Sequence, residues 1–451
     1  MRTLIIIFLV QVLSAPQLYS REQDIRLPEL IDAAMSNRGE IRAARIDALI
    51  ASLRTSEISS DYMPLISFAY DIRYNILTPS QIVPVGQFFT VPTDETRAIR
   101  FGTDWQQNAG VTFYQPIIDL SLRSRINESR ISERIISSDA VAAENELKSE
   151  VIRSFALVWL REEQLKSAAL DTVRTFTTKE LVSAKVGEGQ DLKTELNRAS
   201  VNHNNSVALY RALLSDYFNE KIYLGFLTGL PVQTLLEKAF DFDAFSGRSN
   251  FYPGTAPAYD SIPEIIKLEL RAQLADQQKR TLRNTFVPVL GFEGFIGANQ
   301  YTENFDPFLG RRWYGASFFG LNLRMTLLSG DNTKHKTDQL KLQAEGLKYQ
   351  KEDQKSLINN KLLRLDGEIK QMAERIALMN QNITLLEENI LIYQERFAKG
   401  QISAYDMVTF ETDLQKEISG MNEQITELVN KQIEVIKISG RLDTFIENLR
   451  Q

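Results

Sequence analysis

No proline and no glycine interrupts the chain between Pro116 and Gly187. These are the two residues that most readily break or loosen a helix, and charged and small residues recur throughout the stretch. One helix of about 70 residues, rising about 1.5 Å per residue, would reach roughly 100 Å, too long for a compact globule. A second stretch, from about Asp331 to Lys399, matches it and is weakened only by Gly346 and Gly367. Within it Leu362, Leu365, Ile369, Met372, Ile376, Met379, Ile383, Leu386, Ile390, Tyr393 and Phe397 keep an unbroken 3-4 spacing, the seam of a coiled coil. Past Gly400, Met407, Phe410, Leu414, Met421, Ile425 and Leu428 supply an imperfect partner seam for antiparallel packing.

The two long stretches belong to a duplication. Asp61-Tyr62-Met63-Pro64-Leu65-Ile66-Ser67-Phe68 resembles Thr285-Phe286-Val287-Pro288-Val289-Leu290-Gly291-Phe292, so that Pro64 and Pro288 correspond. At the same offset upstream, Arg38-Gly39-Glu40-Ile41 falls on Ile262-Pro263-Glu264-Ile265, each opening a helical stretch. Downstream, Gly110-Val111-Thr112-Phe113 matches Gly320-Leu321-Asn322-Leu323, and Gly189-Gln190 matches Gly400-Gln401. Four anchors in the same order mark an internal repeat whose copies differ chiefly in loop length. Each copy reads as helix, strand, loop, strand, long helix, glycine turn and return helix. The expected organisation is a signal peptide over residues 1–20, a first repeat over 21–230, a linker over 231–261 and a second repeat over 262–451.

After Pro64 the residues alternate. Ile66, Phe68, Tyr70, Ile72 and Tyr74 fall on one face, and Ser67, Ala69, Asp71, Arg73 and Asn75 on the other. Weaker alternation sets Ala109, Val111 and Phe113 against Asn108, Gly110 and Thr112. It sets Leu290, Phe292 and Ile296 against Gly291, Glu293 and Gly297, with Phe295 out of pattern, and Phe319, Leu321 and Leu323 against Gly320, Asn322 and Arg324. Such two-faced strands suit a barrel with lipid outside and water inside, and equally a half-buried soluble sheet. Two features favour the barrel. Met1-Arg2-Thr3 followed by the apolar run Leu4 to Val10 reads as a signal peptide cleaved near Ser20, and the aromatic residues Tyr74, Trp105, Tyr114 and Trp313 stand near strand ends, where an interfacial girdle sits. No later segment approaches the roughly 20 apolar residues of a transmembrane helix. Four strands cannot close a barrel in lipid without leaving edge groups unpaired, so several protomers must share one. The segment from Leu77 to Asp104 reads as a long extracellular loop.

Composition removes other classes. A net charge of -6 offers no basic excess for phosphates, so no nucleic-acid partner is expected. The chain has no cysteine, which excludes disulfides, thiol nucleophiles and a lipid-bearing N-terminal Cys. Its only histidines, His203 and His335, lie far apart in polar helical stretches, a poor basis for a metal site. No nucleophile elbow, phosphate loop or acid/base pair is present. No cofactor or metal is expected, and the chain does not read as an enzyme.

Across nearly all of its length the sequence resembles the TolC-like outer-membrane efflux proteins. The resemblance rests on the duplication, the strand starts at Pro64 and Pro288, Phe113-Tyr114-Gln115-Pro116-Ile117-Ile118-Asp119 leading into the long helix, and the turns at Gly189 and Gly400. It implies a mainly α chain of coiled-coil hairpins with four strands, three copies of which make one twelve-stranded β-barrel above a helical barrel. It also implies an outer-membrane location with a long periplasmic extension, and passive passage of substrate. The implied partners are a periplasmic adaptor and an inner-membrane pump or ABC transporter of an efflux or type I secretion system. Val186, Gly187, Gly189, Gln190, Phe397, Lys399, Gly400 and Gln401 would form the tip that meets the adaptor; by residue type alone they are equally helix ends with no partner. Glu195 and Asp406, each six residues beyond its glycine, take the place of lumen carboxylates, or of an ordinary solvated face. With Arg198 and Thr409 they form the candidate gate. Phe397, Ile402 and Thr409 depart from the tyrosine, arginine and second aspartate of the best-known gate. Arg198 is the expected substitute lock, pairing with Glu195 or Asp406.

The rival reading is a periplasmic adaptor, also exported and built on a coiled-coil hairpin. That class would show one hairpin flanked by β-rich halves, whereas here two hairpins follow two strand pairs.

Overall fold

The computed structural model describes residues 24–84, 96–242, 256–305 and 312–450; the expected signal segment lies outside them. The chain divides into two compact units, each assembled from both halves of the sequence. One comprises Met1–Ala44, Val141–Ile262 and Lys355–Gln451; the other comprises Arg45–Ala140 and Pro263–Gln354. The elements are α1 (Leu27–Asn37), α2 (Gly39–Ser60), β1 (Leu65–Tyr74), β2 (Ser80–Pro84), β3 (Thr96–Arg100), β4 (Trp105–Ile118), α3 (Leu120–Gly187), α4 (Lys193–Thr228), α5 (Val232–Glu237), α6 (Pro263–Asn284), β5 (Val289–Thr302), β6 (Tyr314–Arg324), α7 (Asn332–Ala398), α8 (Ala404–Ile438) and α9 (Leu442–Arg450).

Element lengths run in parallel between the halves. α2 and α6 each have 22 residues, α3 and α7 have 68 and 67, and α4 and α8 have 36 and 35. The motif that leads into α3 has a local cause. β4 carries a bulge between Pro116 and Ile118. Asp119 Oδ1 then accepts from the backbone N–H of Leu122 at 2.8 Å, satisfying one of the N–H groups that a helix start leaves open, and from the Ser121 hydroxyl at 2.7 Å.

In the second unit, four strands form one antiparallel sheet in the order β1-β4-β5-β6, with β2 and β3 as a separate hairpin. Six strands are therefore described where four were expected, and the extra pair lies inside the segment read as the long loop. The register sets Phe68 opposite Val111, Val111 opposite Ile296, and Phe292 opposite Leu321. Partners share a face, so the apolar sets of all four strands merge into one. Phe68, Ile296, Phe319, Leu321 and Leu323 stand 65 to 77 % exposed on it, an apolar surface that the described residues leave uncovered. At one end Tyr74 lies against Trp105 at 4.9 Å, and Trp105 against Phe305 at 4.6 Å between ring centroids. Tyr114 belongs to the opposite face, where a Cβ added to Gly291 would meet its ring at 2.6 Å. Phe295, which broke the alternation, also lies on that face. It stacks on Phe318 at 6.0 Å and covers Gly110 and Gly297, so the glycines there make room for rings.

In the same unit α2 and α6 both bond to the early part of α3. Thr55 Oγ1 donates to Glu133 Oε2 at 3.0 Å and contacts Ser129 Oγ at 2.9 Å, while Asn284 Nδ2 donates to Ser124 Oγ at 2.6 Å.

The first unit has a mixed core in which Leu30, Ile31, Val151, Ile152, Phe155, Leu224, Leu235, Ile433, Ile436 and Ile446 are buried together. Ile25 pairs in parallel with Phe240, tying the start of the described chain to the segment after α5. Burying this many large side chains, at about 25 cal/mol per Å², makes the cluster the main stabiliser of the unit. The predicted seam is the core of the α7–α8 hairpin: Ile383, Ile390, Met407 and Leu414 are buried, with Leu386, Tyr393, Phe410 and Met421 packed against them.

Candidate functional site at the hairpin turns

Each long helix ends in the same capping geometry. Gln190 N–H donates to the Lys185 carbonyl at 2.8 Å and Gly189 N–H to Val186 at 3.1 Å; Gln401 N–H donates to Arg396 at 2.9 Å and Gly400 N–H to Phe397 at 3.0 Å. This is the six-to-one and five-to-two pairing of a Schellman motif, which needs a left-handed residue. Gly189 and Gly400 supply it at φ 74° and 71°. Nothing lies within 4 Å of a Cβ added at either glycine, so both turns are open.

The return helices start differently. Asp191 Oδ1 accepts from the N–H of Leu192 at 2.8 Å ahead of α4. Ahead of α8, Ser403 and Asp406 form a capping box: Asp406 N–H donates to Ser403 Oγ at 3.2 Å, and Asp406 Oδ2 accepts from Ser403 N–H at 3.2 Å and Ser403 Oγ at 2.7 Å. Such reciprocal bonds satisfy two open donors at once.

Between the turns lies a small apolar knot in which Val182, Ala199, Phe397, Ala404 and Val408 are buried and Val186, Leu196 and Ile402 pack against it. It joins α3, α4, α7 and α8. Lys185 seals one side, its Nζ 3.9 Å from the centre of the Phe397 ring and donating to the Phe397 carbonyl.

The knot thus brings Val186, beside the first turn, together with Phe397 and Ile402 on either side of the second. Among the gate candidates, Arg198 places its guanidinium 4.3 Å from the centre of the ring of Tyr405, the residue before Asp406. Within the single chain no ion pair of Arg198 with Glu195 or Asp406 is found among the described residues; Arg198 lies over Tyr405 instead. Asp406 is held by its cap. Glu195 is partly buried, with Oε2 enclosed and lacking a hydrogen-bond partner. Thr409 is exposed and bonds back to the Tyr405 carbonyl at 2.8 Å.

Sequence reasoning missed Glu411. It is 1 % exposed, and its two carboxylate oxygens accept from Thr178 Oγ1 of α3 at 2.5 Å and from Asn202 Nδ2 of α4 at 2.9 Å. Burial pushes this carboxyl up to about 7, against the lowering effect of the Thr178 bond and the Arg174 charge. Nearby, Asp171 pairs with Arg174 and its carboxyl is also raised by burial. The only sequence signal was an acidic residue flanking the apolar seam of α8, between Phe410 and Leu414. Among the described residues no cluster suited to a metal ion is found, and no helix is long and apolar enough to cross a membrane.

Neither a protein-family model nor a curated protein matches the chain. Solved structures do: the fold is that of the TolC-like outer-membrane channels. CusC, studied for folding and transmembrane channel formation, superposes with a TM-score of 0.71 at 13% identity, covering 94% of this chain and 92% of CusC. The CmeC outer membrane channel of Campylobacter jejuni gives 0.68 at 16% identity over 94% of this chain and 89% of CmeC. The open state of the Neisseria gonorrhoeae MtrE outer membrane channel gives 0.68 at 16% identity over 92% and 89%. At these identities the likeness defines the fold.

Proposed function

We propose that this chain is the exit duct of a tripartite efflux pump or type I secretion system, a passive outer-membrane channel that leaves its substrate chemically unchanged. The observation that carries the reading is the sheet. Each of its edge strands, β1 and β6, has one side without a partner among the described residues, and its apolar face is uncovered by them. A sheet of this kind in lipid must close, because open edges leave backbone groups without hydrogen bonds. Three copies pairing β1 of one with β6 of the next give a twelve-stranded barrel with the apolar face toward lipid. The long hairpins then cross the periplasm, and the glycine turns, Val186 to Gln190 and Phe397 to Gln401, meet the periplasmic adaptor. The candidate gate positions Glu195, Arg198, Asp406 and Thr409 cluster near the same turns, where threefold symmetry multiplies each side chain into a ring.

The adaptor reading fits less well, because strands from both halves of the sequence join in one continuous sheet. Fractionation of an expressing Gram-negative host tests the proposal. Detergent-dependent release from outer membranes as a trimer is expected; recovery as a fully soluble monomer would contradict it.

A further inference from the structure

The two sides of α8 differ in kind. Toward α7 it presents the apolar seam of Met407, Phe410, Leu414 and Met421. Toward α3 and α4 it presents Glu411 and then Gln415, Ser419 and Asn422 along a cavity of about 390 Å³ that Asp171 and Gln164 also line. The α7–α8 hairpin is held internally by apolar packing; between the apolar knot at the turns and the mixed core further along α8, it meets α3 and α4 through polar contacts that include the single enclosed carboxyl of Glu411. Thr178 is 2 % and Asn202 8 % exposed, so water does not replace these partners while the helices stay packed.

We propose that Glu411 is a protonation-controlled latch. The neutral carboxyl holds α8 against Thr178 and Asn202, and loss of its proton releases α8 from α3 and α4, loosening the apolar knot at the hairpin turns. The proposal rests on the exit-duct reading and assigns that duct a regulated closure.

A carboxylate removed from water is costly unless a charge pairs with it. The charged and titratable groups that face Glu411 do not supply one. From α3, Arg174 favours the charged form, but it is shared in an ion pair with Asp171 and is outweighed by burial, and Asp171 opposes ionisation of Glu411. From α4, His203 is turned to Thr175, 3.3 Å away, and to the Phe176 ring. On α8 itself Asp406 is occupied by Ser403. Both partners of Glu411 adapt to a neutral acid: Asn202 donates to one oxygen, while the Thr178 hydroxyl accepts a proton as readily as it donates one. Because the packed state holds this proton more tightly than an exposed carboxyl does, the latch is complete in acid. It weakens as pH rises from the ordinary glutamate range toward about 7 and stays weak above that.

The test uses the full-length assembled chain in planar bilayers at pH 5 and pH 8, at one salt concentration. Mean conductance of the parent protein is expected to rise at least about tenfold between the two. Glu411→Gln, neutral at both and able to donate to Thr178 while accepting from Asn202, should stay low at both; Glu411→Ala should conduct at both. Hydrogen exchange over residues 404–414, corrected for intrinsic rates, gives a readout independent of conduction, and should accelerate with pH in the parent but not in Glu411→Gln. Equal acceleration in the two, or a pH response surviving in Glu411→Gln and abolished by substituting His203, overturns the latch and leaves the duct standing. Absence of conductance in every variant, Glu411→Ala included, contradicts the duct itself.

Discussion

Lys185 of α3 stands 3.9 Å above the Phe397 ring of α7 and donates to the Phe397 carbonyl, so one side chain clasps the end of one long helix to the end of the other. The contact joins residues 212 positions apart and borders both glycine turns. A cation over an aromatic face contributes about 0.5–2 kcal/mol. Lys185→Met, which keeps the apolar stem, is therefore expected to loosen the tip with little change in global melting. Increased uptake of a large antibiotic by cells carrying the variant, at unchanged channel abundance, checks this.

The two kinds of glycine separate turn geometry from packing. Gly400 at φ 71° has free space around it, so Gly400→Ala meets only the left-handed backbone cost, roughly 1–2 kcal/mol. Gly440 at φ 73° meets the Ala258 carbonyl at 2.8 Å and Ile262 Cγ1 at 2.9 Å where its Cβ would stand. Gly440→Ala is expected to destabilise the protein clearly more than Gly400→Ala in denaturant titrations. Gly400→Ala should instead weaken adaptor binding in a pull-down.

Asp406 carries two assignments that substitutions can divide. Ser403→Ala removes the cap hydroxyl and should cost about 1 kcal/mol of stability, with ion selectivity unaltered. Asp406→Asn keeps an acceptor for Ser403 but removes the charge. If three copies of Asp406 ring the lumen, reversal potentials in a salt gradient should show reduced cation preference for Asp406→Asn and none for Ser403→Ala.

Neighbouring residues of β6 report which face meets lipid. Leu321 is 68 % exposed on the apolar face, while Asn322 lies on the other, its amide donating to Glu293 at 3.1 Å. An arginine on the lipid face of a barrel costs about 2–4 kcal/mol near mid-bilayer. Leu321→Arg should abolish recovery of trimer from outer membranes, and Asn322→Arg should leave assembly intact.

Much of this architecture was legible because it follows from local rules. The 68-residue helix α3 needed only the absence of helix breakers, and the α7 seam is a spacing that any reader of heptads finds. Gly189 and Gly400 stood out because left-handed caps are written in glycine. The β2–β3 hairpin was hidden: Pro79 and Pro84 bracket a strand of five residues, and proline at strand ends reads as loop. For Tyr114 aromatic type indicates an interface without indicating a side; the register puts it on the face opposite Val111 and Phe113. Glu411 was illegible for a deeper reason. Its partners Thr178 and Asn202 are 233 and 209 residues away, and a glutamate on a long charged helix reads as solvated until three helices enclose it. Arg198 shows the converse. One helical turn from Glu195 suggested a pair, yet within the single chain Arg198 lies over Tyr405.

Particle images of the purified chain in detergent test the central claim most directly. The exit-duct account predicts a threefold particle with a closed β-barrel in the detergent belt, to which each copy gives β1, β4, β5 and β6. A monomer with an open sheet, or an assembly in which β1 and β6 remain unpaired, would contradict it.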